Sequence, residues 1–374
     1  MKLKKKNNSA TEISNLPEEI SGSAEPHGKH RLKKMRARNI VIRGALLFAI
    51  FIGVIGELGW WRVIATETQL PGKHFNLGLN ATWLAHTWVG SYHTQAEYQN
   101  LFSLLNKEQI HYIYVHAGPL NGDGSDSPEL YSYAGAFIRA ARQYGPNIKA
   151  LAWLGQIYVP NSQPSDGVLN IALAATRKAI ATTSAYFTQS LGFDGVHLDI
   201  EPIPNNDPHF LDLLSDIRQA IGPQPILSLS TPNWIAVARL AIFMSKLTDR
   251  DNYWWTTYYY RKVGQYANQI VVMLYNTDMP TAPLYEALVE QETAHIIRDV
   301  QFESPTTKVL IGLPTYTGSS KAFHDSAENI TTGLTGVING LNYESFHTAF
   351  AGVAIYPEWL TTPADWAVYN TLWL

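Results

Sequence analysis

The stretch LGFDGVHLDIEP, residues 191–202, sets His197, Asp199 and Glu201 at alternate places between Val196, Leu198 and Ile200. Alternate residues of an extended strand share a face. One side of this segment is therefore apolar, and the other carries an imidazole and two carboxyl groups. A carboxyl group that is buried beside another carboxylate holds its proton to higher pH, and such a group can act as a general acid. Its neighbour, left ionised, can steady a positive charge. Alternating carboxylates in an isolated strand are more often a solvated face, so the elements around this one have to decide.

Those elements repeat. From His74 onward the chain cycles through a short apolar run, a polar loop and a helical period. The runs are HFNLGLN, IHYIYVHAG, IKALAWLG, GVHLDIE, ILSLSTP, QIVVMLYN, KVLIGLP and GVAIYP. Several are continuously apolar, as parallel strands buried on both faces require. Between them, TQAEYQNLFSLL opens on Thr94 and Glu97, a capping-box pair, with Tyr98, Leu101, Phe102 and Leu105 on one stripe. DPHFLDLLSDIRQAIG has Asp207 as N-cap, Pro208 at the first helical position and Gly222 as its stop.

Eight strands alternating with helices predict an α/β fold, a (β/α)8 TIM barrel, over residues 66–374. A doubly wound open sheet is the alternative, but no Gly-rich phosphate turn follows the first strand. In a barrel the functional groups gather where strands end. Those positions hold Asn80 with Trp83, His116, Trp153 with Gln156, Asp199 with Glu201, Thr231 with Asn233 and Trp234, Tyr275 with Asn276, Pro314 with Tyr316, and Tyr356 with Glu358 and Trp359. Carboxylates ringed by aromatics and amides suit a carbohydrate better than a phosphate, and Lys and Arg are missing from the set.

Composition points the same way. Apolar residues make up 46% and charged ones 16%, enough for a large core and too apolar for general disorder. Twenty tyrosines and eleven tryptophans are available for sugar platforms, although any one aromatic can equally fill the core. There is no cysteine, hence no disulfide framework and no thiol nucleophile. The net charge of −3 is uneven: residues 1–73 carry 13 basic and 6 acidic side chains, the remainder 15 and 25. An acidic body argues against nucleic acid as a partner.

The basic end has a separate meaning. Residues 1–38 read as a disordered basic cytoplasmic tail that ends in KHRLKKMRAR. Residues 39–65 read as a transmembrane anchor or signal segment, with the uncharged run GALLFAIFIGVIG between Arg43 and Glu57 and with Trp60 and Trp61 at the interface. Cleavage after VIA, just before Thr66, is the competing reading, giving a secreted protein. Both leave the body extracytoplasmic, with a membrane as partner in the first.

With strand order and strand ends in place, the chain resembles glycoside hydrolase family 18, the chitinase-like barrels, over about residues 75–360. DGVHLDIE resembles that family's D-G-x-D-x-D-x-E, with Asp194 first, Asp199 third and Glu201 as the acid. VMLYN resembles M-x-Y-D, with Tyr275 at the tyrosine and Asn276 in the place of Asp. KVLIGLPTYTGSS, LAWLG and GVAIYPEWL resemble the seventh, third and eighth strands, with Tyr356 where a sugar-stacking Trp is usual. His197 departs from the pattern by replacing the middle Asp, and from there it could hydrogen-bond Asp199.

The resemblance implies a retaining glycosidase acting on β-linked N-acetylhexosamine glycans such as chitin, peptidoglycan or an exopolysaccharide. Glu201 would be general acid and base, Asp199 would orient the acetamido group, and Tyr275 would hold its carbonyl. Trp153, Trp234, Asn276, Tyr316, Tyr356 and Trp359 are the candidate substrate-binding residues. His197 and Asp194 are supporting, and no metal or cofactor is called for. A non-hydrolytic, lectin-like barrel is the alternative function. NGDGSDSPE, residues 121–129, lacks the spacing of a calcium loop and reads as a Gly/Asp turn. Asn80 and Asn329 match the N-x-[ST] pattern.

Overall fold

The computed structural model describes residues 69–235, 254–318, 320, 323–343 and 347–374. The tail and anchor expected over residues 1–65 lie outside the described residues. Among the described residues no helix is long and apolar enough to cross a membrane.

Eight parallel strands close into a barrel. They are β1 (Asn80–Leu84), β2 (Ile110–His116), β3 (Lys149–Ile157), β4 (Gly195–Glu201), β5 (Ile226–Thr231), β8 (Gln269–Met273), β9 (Lys308–Pro314) and β10 (Phe350–Tyr356), with β10 pairing back onto β1. Between β5 and β8 the chain adds β6 (Asn233–Ile235) and β7 (Trp254–Thr256), a two-stranded parallel sheet beside the barrel that the periodicity did not announce. Helices follow the strands and cover them. The Thr94–Glu97 capping box forms as expected before the helix Gln95–Lys107, and the Asp207 carboxylate caps the helix Pro208–Ile221.

The first strand is displaced from its expected place. Phe75, Leu77 and Leu79 alternate as a strand would, yet Gly72–Phe75 is a short helix and Leu77 is 59% exposed. A turn at Gly78, φ +68°, leads into NATWL, which is buried throughout. Asn80 therefore begins the strand instead of ending it. Its side chain is buried and accepts from Trp373 Nε1 at 2.9 Å, which makes it a brace at the barrel floor and not a glycan acceptor.

Side chains segregate by the two-residue period. Val196, Leu198 and Ile200 point outward into the shell under the helices. The inward set of the barrel includes Trp83, Tyr114, Leu151, Val271 and Leu310. Along β4, His197 is fully buried, Asp199 half-buried and Glu201 open to solvent, so one strand rises from core to mouth.

Candidate active site

Asp199 pairs in register with Gly155 and Glu201 with Ile157, so β3 and β4 travel together to the barrel mouth. Gly155 leaves the needed room: a Cβ there would meet the Asp199 carbonyl oxygen at 3.2 Å and Trp153 Nε1 at 3.3 Å. In that space Trp153 Nε1 donates to Asp199 Oδ2 at 2.9 Å. The other oxygen, Oδ1, is buried and has no hydrogen-bond partner among the described residues. Burial raises the Asp199 pKa, while the Trp153 and Ser230 donors pull it down.

Glu201 faces the cleft, yet apolar surface crowds it. A cavity of about 310 Å³ opens beside it, lined by Ile157, Ile200, Ile203, Pro232 and Trp255 among others. Desolvation, followed by the neighbouring charge of Asp199, pushes its pKa up to about 8. At neutral pH Glu201 is therefore a protonated acid with a second carboxyl group beside it.

The opposite wall is aromatic. Tyr275 and Tyr356 stack with ring centroids 4.6 Å apart and an interplanar angle of 9°. Trp83 meets both edge-on, at 6.3 and 5.4 Å. Burial holds both phenols protonated, with the Asp199 and Glu201 charges adding to the effect. Tyr316 donates to Asn276 Oδ1 at 2.8 Å and lies 5.9 Å from Tyr356. Trp359, 42% exposed, stands at the rim 6.2 Å from Tyr356. Asn276 adopts a left-handed backbone, φ +55°, uncommon for a residue other than glycine. Its loop is clamped by Glu328, whose carboxylate accepts from Thr277 N at 3.1 and 3.2 Å.

Two expected residues need correcting, and a third, Asp194, stands where a supporting residue at the start of the strand was expected. Trp234 is not part of this wall: it lies on β6, stacks on His295 at 4.3 Å and donates to Thr257 Oγ1 and Asp299 Oδ2. These partners pin it against the helix Ala282–Glu303 as packing. His197 makes no hydrogen bond to Asp199. Its Nδ1 lies 2.8 Å from Ser228 Oγ and its Nε2 lies 2.9 Å from Ser230 Oγ and 3.2 Å from Trp83 Nε1, while Tyr114 stacks on its ring at 3.8 Å. Asp194 is remote from the mouth; it accepts from Arg142, Lys149 and the Ala150 N–H, tying β4 to β3 at the floor.

Sequence reasoning did not single out Ser228, Ser230 or Glu328. The serines did leave a signal, since ILSLST alternates serine with leucine just as GVHLDIE alternates polar with apolar. Glu328 left none. The loop of residues 121–129 is a turn, in which Asp123 Oδ1 accepts from the N–H and hydroxyl of Ser125.

Solved structures with the same architecture are distant in sequence. The Bacillus cereus spore cortex-lytic enzyme SleL superposes with a TM-score of 0.54 at 11% identity, covering 79% of this chain and 74% of that one. A GH18 chitinase from Cycas revoluta in complex with (GlcNAc)3 gives a TM-score of 0.53 at 13% identity, covering 79% of this chain and all 100% of that one. A class V chitinase from Pseudomonas fluorescens Pf-5 gives 0.51 at 14%, covering 78% and 98%. No curated protein is similar enough in sequence to count as a match. The family match is direct, spanning residues 87–371 and every strand from β2 to β10. An acid held protonated beside a second carboxylate, at the mouth of a closed barrel, sits inside that span, and the chain belongs to the glycosyl hydrolases family 18 and is a glycoside hydrolase.

Proposed function

We propose that the protein hydrolyses β-linked N-acetylhexosamine glycans with retention, the substrate's own acetamido group serving as nucleophile. One observation carries this reading: the buried, unpartnered Oδ1 of Asp199 beside a protonated Glu201. An N–H donor arriving with the substrate satisfies that oxygen, and an acetamido group brings one. Chitinases and a cortex-lytic enzyme among the solved structures of this fold support the same substrate class.

The groups then divide the work. Glu201 gives its proton to the glycosidic oxygen as the bond to the anomeric carbon breaks. The acetamido carbonyl oxygen closes on that carbon, and the N–H of the resulting oxazolinium ion faces ionised Asp199. The protonated Tyr275 hydroxyl donates to the acetamido oxygen. Glu201, now a carboxylate, takes a proton from water, whose oxygen opens the ring and restores the starting configuration. Tyr356, Tyr316 and Trp359 offer apolar faces to the sugars. The charge pattern of residues 29–62 supports an extracytoplasmic site of action, where chitin, peptidoglycan or an exopolysaccharide would be met.

Hydrolysis of fluorogenic chitooligosaccharides by the full chain, beside Glu201→Gln, tests the proposal. Turnover in the wild type that Glu201→Gln abolishes is the expected result. Sugar binding with no turnover in either protein would sink it in favour of a lectin-like barrel.

A further inference from the structure

The two ends of the barrel differ in charge. Helices run antiparallel to the strands they follow, so their last turns gather at the floor, where the strands begin. Lys107, Arg142 and Lys262 stand in the last turns of the helices Gln95–Lys107, Ala134–Tyr144 and Thr257–Gly264. Lys149 and Lys308 open β3 and β9 at the same level, and exposed Lys73 lies in the short helix before β1. At the mouth the sign is opposite. Among the described residues no Lys or Arg stands in a loop that follows a barrel strand, whereas Asp123, Glu129, Asp166 and Asp278 do.

Acidic partners neutralise only part of the floor. Asp194 lies 2.9 Å from Arg142 and 3.4 Å from Lys149, one charge against two. Lys107 reaches Glu108 at 2.7 Å yet keeps 70% of its side chain exposed, and Glu303 lies 3.7 Å from Arg261. Apolar side chains interleave with these cations. Phe302 is 75% exposed, with the Arg261 guanidinium 5.1 Å from its ring centre, and Leu77 and Tyr343 are open at the same end. The helix dipole favours cations in last turns. It gives no reason for Lys149 and Lys308 at strand starts, or for a bare phenylalanine at that end.

Cations with aromatic and aliphatic side chains between them match a layer of anionic phosphate headgroups over hydrocarbon. A soluble polyanion would satisfy the cations and leave Phe302 and Leu77 bare. We propose that the barrel floor docks on a bilayer containing anionic phospholipid. Docked so, the acidic mouth with Asp199 and Glu201 turns away from the like-charged membrane and toward a polymer outside it. The chain joins the body at this same end. Leu70 N donates to Asn342 Oδ1 at 2.7 Å, and Asn342 Nδ2 donates back to Leu70 O at 2.9 Å, near the close of the helix Ile330–Tyr343. The inference rests on the reading of residues 29–65 as a membrane-directed segment, and adds to that tether a contact made by the body's own side chains.

The chain has no cysteine, so one introduced thiol labels one place. The full chain is reconstituted in vesicles with a fluorophore at Asn147→Cys, in an exposed turn at the floor, or at Ser165→Cys, in an exposed turn beyond β3. Lipids carrying a nitroxide on the headgroup then quench whichever label lies near the surface. In phosphatidylcholine mixed with phosphatidylglycerol, quenching at residue 147 should exceed that at residue 165 several-fold, since the length of a strand, about 25 Å, separates them. The excess should vanish in phosphatidylcholine alone and in about 1 M salt, where the Debye length falls to about 3 Å. It should also vanish in a Lys73→Glu, Lys262→Glu, Phe302→Ser variant whose melting temperature is unchanged. Should that variant fail to fold, the lipid and salt comparisons on the wild-type floor decide alone. An excess that persists in neutral lipid and at high salt belongs to the tether and overturns the proposal. Equal quenching at the two sites overturns it as well. Neither outcome bears on hydrolysis, which Glu201→Gln tests separately.

Discussion

Trp153 Nε1 and Asp199 Oδ2 stand 2.9 Å apart, a donor on β3 aimed at an acceptor on β4. Their backbones are not partners: Trp153 pairs with His197, and Asp199 with Gly155. The indole reaches diagonally across the space that Gly155 leaves. It fixes one carboxylate oxygen and leaves the other buried without a partner among the described residues. In Trp153→Phe the ring volume is largely kept and the donor is lost. We expect kcat for a chitooligosaccharide to fall about ten- to a hundredfold, the range for a hydrogen bond to a charged group, with a smaller change in KM. Steady-state kinetics on the folded variant checks it, and equal kcat values would remove Trp153 from the catalytic account.

The alkaline side of the rate profile belongs to Glu201. It acts first as an acid, so activity requires its protonated form. With its pKa pushed up to about 8, kcat/KM should hold through neutrality and decline as pH rises past about 8. If the decline instead sets in near pH 5, the group is not desolvated in solution as it is here. Because the elevation comes first from burial and next from the Asp199 charge, Asp199→Asn should lower the Glu201 pKa while reducing the rate.

Glu328 acts on the site through the backbone. It is 0% exposed, and its carboxylate grips the Thr277 N–H at the turn where Asn276 and Asp278 both have positive φ. Glu328→Ala leaves that part-buried N–H without its acceptor, at a cost of about 1–3 kcal/mol of stability. The loop that carries Tyr275 and Asn276 loosens with it. We expect a lower melting temperature together with a raised KM, and a milder effect in Glu328→Gln, which keeps one acceptor. A variant that melts lower but binds and turns over substrate normally would confine Glu328 to a structural role.

Two tryptophans proposed alike as sugar platforms should behave differently. Trp359 is exposed at the rim with an aromatic neighbour beneath it, so Trp359→Ala should leave the melting temperature almost unchanged and raise KM several-fold for longer oligosaccharides. Trp234 is held by His295, Thr257, Asp299 and the Glu292 carboxylate on its own N–H. Trp234→Ala should cost about 3–5 kcal/mol of stability, as large-to-small changes at packed aromatics do, while KM stays near wild type. Thermal melts and KM across a chain-length series separate the two, and a reversed pattern would exchange their roles.

The amino-acid order by itself determined whatever depends on neighbours along the chain. The two-residue period of β4 put His197, Asp199 and Glu201 on one face and in rising order toward the mouth. The caps at Thr94 and Asp207 and the stop at Gly222 were equally local, and each formed where the residue types required. The same local logic misplaced the first strand, because Phe75, Leu77 and Leu79 imitate its alternation up to the turn at Gly78.

Only closure of the barrel decided which groups meet. It brings Trp83 of β1, Tyr114 of β2 and Ser228 and Ser230 of β5 around His197, from positions as much as 147 residues apart along the chain. A strand's period says which way a side chain points and nothing about what stands opposite. That is why His197 could be placed on the inner face from sequence, while its bonding to Ser228 and Ser230 in place of Asp199 could not. For the same reason Trp234 and Trp359 read alike in the sequence. One is covered by the helix Ala282–Glu303 and the other is left open at the rim.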